Sequence, residues 1–96
     1  MKAEIDDVSK KDGFCQKMVE EAGEGAKLGG CDVDTTRKLE EANVKLVIVI
    51  IYPIDKLPEN VEELIQQVIN TAATNAGVTV VNVEVKTIQK IGIYEV

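Results

Sequence analysis

Residues Gly29–Ile51 read GGCDVDTTRKLEEANVKLVIVII. A glycine pair predicts a turn, and Asp32 or Asp34 can cap a following helix by accepting from its first free amides. That helix would run to about Ala42, with Leu39 and Ala42 as its core contacts. Strand-forming residues then fill Val44 to Tyr52, with only Lys45 interrupting. An unbroken apolar strand predicts cover on both faces, as in the centre of a sheet flanked by helices.

Working outward, Pro53 and Pro58 bracket a loop, and Pro58 suits a first helical turn. Asn60 with Glu63 offers a variant capping box. Val61, Leu64, Ile65, Val68, Ala72 and Ala76 recur three or four apart and predict a long amphipathic helix stopped by Gly77. Val78 to Val85 reads as a strand, with Val81, Val83 and Val85 on one face and Asn82 and Glu84 on the other. For Lys86 to Val96 two readings stay open. One is a helical turn ended by Gly92 before a short strand from Ile93; the other is a single edge strand.

Upstream, Phe14, Cys15, Met18, Val19 and Ala22 form a helical stripe that Gly23 and Gly25 end. Ala26 to Gly29 suits a very short strand. Met1 to Asp12 is mixed in charge and predicts a frayed lead-in or a short helical arm. Helices alternating with strands imply crossover connections. The expected fold is therefore a single α/β domain over residues 1–96. It would be a three-layer α/β/α sandwich around a small mixed or mostly parallel sheet.

Composition narrows the function. The 96 residues are 45% hydrophobic, and 17 acidic against 11 basic side chains give a net charge of −6. That balance works against non-specific attraction to phosphate backbones while leaving room for a local basic face. Phe14, Tyr52 and Tyr94 are the only aromatic residues, too few for a base-stacking platform. No apolar run is long enough to span a bilayer, and the polar start does not read as a secretory signal, so a cytoplasmic location is expected. Two cysteines do not make a disulfide framework. The simplest reading is two reduced thiols, one on a helix face and one in a turn, with a Cys15–Cys31 bridge as the alternative.

The absence of histidine removes the commonest general base and most zinc sites. Gly23 and Gly25 follow a helix rather than a strand, and the Gly-Lys-Ser/Thr ending of a phosphate loop is missing; Gly29-Gly30 does precede the expected helix, but Asp32 and Asp34 would repel an anion there. Asp32 and Asp34 resemble the start of a calcium loop, but its sixth position would be Arg37 and its twelfth Asn43. The adjacent glutamate pairs Glu20-Glu21, Glu40-Glu41 and Glu62-Glu63 point apart on a helix. The residues thus call for no enzyme, no cofactor and no metal.

The runs Lys27-Leu28-Gly29-Gly30, Asp34-Thr35-Thr36-Arg37-Lys38-Leu39-Glu40 and Val44-Lys45-Leu46-Val47-Ile48 resemble the kink-turn-binding ribosomal protein family of archaea and eukaryotes. Ala76-Gly77-Val78-Thr79-Val80 looks like that family's next strand. The resemblance implies a non-enzymatic domain for structured RNA, with its contact turn at the start of the second helix. Gly30, Asp32, Asp34, Thr35, Arg37 and Lys38 would form that turn, flanked by Lys27 and Lys86. Here aspartate stands where the family has asparagine and glutamate. The second half is also similar to the alkaline shock protein family, through Tyr52, Pro58, Gly77 and Val81-Asn82-Val83, with Pro53 in place of a glycine. That resemblance implies an assembly module acting through a protein partner or self-association, without nucleic acid.

Overall fold

The computed structural model describes residues 1–34 and 43–96. Among these residues six strands and two α-helices follow one another as β1 (Lys2–Ile5), α1 (Lys11–Glu21), β2 (Lys27–Val33), β3 (Val44–Pro53), α2 (Val61–Ala76), β4 (Val80–Glu84), β5 (Ile88–Lys90) and β6 (Ile93–Glu95). Every strand pairing among the described residues is antiparallel. The three-layer α/β/α sandwich around a small mixed or mostly parallel sheet, expected from the sequence, is therefore corrected. The crossovers through α1 and α2 exist, but each leaves a gap one strand wide. β3 fills the gap between β1 and β2, and β1 fills the gap between β3 and β4. Two interlocked split β-α-β units are antiparallel throughout, although each has a crossover helix.

β3 organises the sheet. Its even-numbered residues turn their amides and carbonyls to one edge, where β1 pairs with Val44 to Val47 and β6 with Ile51 to Pro53. Met1 exchanges backbone bonds with Ile48, and Val96 with Ile50, so β1 and β6 lie end to end along this edge. β2 takes the other edge, and β5 closes a hairpin on β6.

Burial along β3 alternates strictly. Leu46, Ile48, Ile50 and Tyr52 are fully buried, while Val47, Val49 and Ile51 are only half-buried. The sheet is thus covered on one face, not two. Phe14, Cys15 and Met18 of α1 and Ile65, Val68 and Ile69 of α2 pack onto that face, and the two helices also touch each other. Each fully buried aliphatic side chain contributes roughly 1.5–3 kcal/mol.

The α2 stripe forms as its spacing predicts, and Gly77 closes the helix in the left-handed region at φ 72°. The Asn60 side chain makes no capping bond, so the expected capping box is absent. Lys2–Ile5, expected as a lead-in or helical arm, is a strand between β3 and β4 because Ala3 and Ile5 alternate inward with Lys2 and Glu4 outward. A register shift between Glu4 and Ile5 turns Val81 outward, leaving Val80 and Val83 half-buried. The closing segment is neither a helical turn nor one edge strand. Gly92, at φ 78°, turns it into the β5–β6 hairpin.

Candidate functional site

The turn expected at Gly29–Gly30 does not form. Lys27 to Val33 is a strand along β3, and Gly29 is the extra residue of a bulge between Leu28 and Gly30. A Cβ on Gly29 would lie 2.7 Å from Ile51 Cδ1 and 3.1 Å from Val49 Cγ1. The glycine lets these two side chains spread over β2, an example of close approach that a bare strand residue permits. Asp32 therefore sits within a strand rather than capping a helix. The Asp34 amide donates to the Lys45 carbonyl at 2.8 Å, continuing the β2–β3 pairing. Thr35, Arg37 and Lys38, and with them the helix expected as far as Ala42, lie outside the described residues.

The register places the remaining candidates on the face away from the helices. Lys27 is opposite Ile51, Gly30 opposite Val49 and Asp32 opposite Val47. Lys86 is on the far side of β3, in the connection from β4 to β5. It borders a cavity of ≈ 200 Å³ with Lys2, Val47, Val49, Glu84 and Ile88. The cavity marks the place where β1 and β6 meet end to end. Burial holds the Met1 amine below its ordinary pKa, helped by the charges of Lys2 and Lys86. The structure thus separates Lys27 from Lys86 by the width of β3 and β1/β6 and does not gather the expected residues into one turn.

What it does gather is a surface that no sequence motif marks. Val47, Val49 and Ile51 run down the middle of the helix-free face. On the β1/β6 side Lys2 is beside Val47 and Glu95 beside Ile51; on the β2 side Asp32 is beside Val47 and Lys27 beside Ile51. Glu95 pairs with Lys90 at 3.0 Å. Lys2, Lys27 and Asp32 make no ion pair among the described residues. No ring lies on this face: Phe14 and Tyr52 are fully buried in the core, and Tyr94, opposite Tyr52, packs against it.

Among the described residues no cluster of carboxylates and thiols could hold a metal ion, and no helix is long and apolar enough to cross a membrane. Cys15 and Cys31 form a disulfide, with Cα atoms 6.3 Å apart, which ties α1 to β2. The two reduced thiols expected from the sequence are thus corrected to the bridge that stood as the alternative, because Cys31 lies not in a turn but on a strand, opposite the buried Ile48. No family model, curated protein or solved structure matches the chain.

Proposed function

We propose that the protein is a non-enzymatic protein-interaction module whose contact surface is the helix-free face of its sheet. The observation that carries this reading is the stripe Val47–Val49–Ile51, apolar and half-buried on one face while its alternate neighbours are fully buried on the other. Apolar surface ringed by polar groups is the usual anatomy of a protein contact. A base-binding sheet would instead place rings on this face. The charges beside the stripe include both signs rather than the continuous basic surface that phosphates favour.

A photo-crosslinking amino acid at Lys45, on the helix-free face, tests the reading against one at Gln66 on exposed α2 surface. Expression in the native host should give a protein adduct from position 45 and none from position 66. Val49→Asp should abolish it while circular dichroism stays unchanged. An adduct destroyed by ribonuclease would overturn the reading in favour of structured RNA, and the absence of any adduct from position 45 would overturn this face as a contact surface.

A further inference from the structure

We infer that the gap between β1 and β6 on the helix-free face is a binding site for a small apolar monocarboxylate. Lys86 meets the carboxylate of this ligand and Val49 lies under its apolar body. The site goes beyond the interaction-module reading and needs only the chain itself.

The strand register creates the gap. Met1 bonds to Ile48 and Val96 to Ile50 along one edge of β3. Between them Val49 has no cross-strand neighbour among the described residues, and on its other side it has only Gly30. The row Val47, Lys2 and Glu84 bounds the opening at one end, and Glu95 with Ile88 bounds it at the other. Lys86 lines it from the connection between β4 and β5. An apolar cavity of about 150 Å³ holds benzene, so ≈ 200 Å³ accommodates a ring with a short side chain. Val47, Val49, Ile88 and Val96 supply apolar walls for such a ring.

The charges around the gap select the other end of the ligand. Glu95 is paired with Lys90 at 3.0 Å. Glu84 is in register with Lys2, so these two opposite charges offset each other side by side. The Met1 amine donates to the Ile48 carbonyl and the Val96 carboxyl group accepts from the Ile50 amide, one end charge of each sign. Lys86 is left over, exposed and without an ion pair among the described residues. The gap thus carries a local positive excess in a chain of net charge −6. A carboxylate on an apolar body meets both the walls and Lys86. A phosphate or sulfate ion would leave the walls uncovered, and an apolar amine would be repelled by Lys86.

Amide chemical-shift titration of the native chain with 3-phenylpropionate provides the test. Saturable shifts should centre on Val49 and Ile88, with a Kd of about 0.1–1 mM for a ligand of this size. The neutral 3-phenylpropionamide should bind about tenfold more weakly. Lys86→Gln should erase that difference, and Lys86→Glu should reverse it in favour of 3-phenylpropylamine, a reversal that a folding defect cannot produce. Val49→Trp should fill the gap and abolish binding. Absence of saturable shifts, shifts centred away from the gap, or equal binding of carboxylate and amide by the native chain would each overturn the site. A protein adduct from position 45 without carboxylate binding would leave the contact face standing and overturn this inference alone.

Discussion

The Tyr52 hydroxyl, buried at the end of β3, donates to the Ala22 carbonyl at the end of α1 across 2.6 Å. This bond satisfies a carbonyl that the helix leaves open at its C-terminus, and burial raises the Tyr52 pKa above its ordinary value. Tyr52→Phe removes the donor and leaves the carbonyl buried without it, so a loss of about 1–3 kcal/mol is expected. For an acid whose folded pKa is raised, the stabilising neutral form is fully present below the unfolded pKa. The stability is lost as pH rises through the folded value. Urea unfolding from neutral to strongly alkaline pH should show native protein weakening at the alkaline end. Tyr52→Phe should lack the part of that loss due to Tyr52 ionisation.

The Cys15–Cys31 bridge closes a sequence separation of 16 and fastens α1 to a strand paired only with β3 among the described residues. Cross-linking a loop of this length restricts the unfolded chain and is worth about 3 kcal/mol. Cys15→Ser with Cys31→Ser should therefore lower the unfolding free energy by about 2–3 kcal/mol. Amide exchange should quicken first in β2. An unfolding midpoint unmoved by reductant would show that the bridge contributes nothing.

Asp7 Oδ1 accepts from the Ser9 amide at 3.0 Å and from the Ser9 hydroxyl at 2.6 Å. These bonds, the hydroxyl first, favour the carboxylate and lower the Asp7 pKa. The associated stability is present above the ordinary aspartate range and is lost as pH falls through the folded value. In an NMR titration Ser9→Ala should move the Asp7 midpoint upward. A midpoint that does not move would assign the shift to something other than Ser9.

Different physical signals explain which elements were legible in the sequence. α2 needs only its own apolar period and a glycine stop, both local, and it appears where expected. β3 is legible as a strand, but Val47, Val49 and Ile51 erase the alternation that would have shown a half-covered sheet. β1 is four residues long, and its signal is only Ala3 and Ile5 between charges. The parallel expectation failed because strand order is a long-range property: β3 enters between β1 and β2 without any local trace. The candidate surface was illegible for the same reason. Lys2 and Glu95 come from opposite ends of the sequence, and only their common pairing with β3 brings them to one face.

Gly29 and Gly30 are neighbours in sequence with opposite expected responses to substitution, and the contrast tests the bulge that forms this face. A Cβ on Gly29 meets Ile51 Cδ1 at 2.7 Å, Ile51 Cγ1 at 3.0 Å and Val49 Cγ1 at 3.1 Å. Both neighbours are β-branched and stiff about χ1, so Gly29→Ala forces at least one from its rotamer, at a cost of about 1 kcal/mol. A Cβ on Gly30 finds its nearest atom, Asp32 Oδ2, at 3.6 Å, an ordinary contact. Gly30→Ala also reduces the freedom of the unfolded chain, which adds about 0.4–1 kcal/mol of stability where the backbone fits. Chemical denaturation should therefore rank Gly30→Ala at or above the native protein and Gly29→Ala below it. Equal effects would mean that β2 does not bulge at Gly29. The side chains of Val49 and Ile51 would then not spread across the edge strand, and the apolar stripe would be narrower than the proposed contact requires.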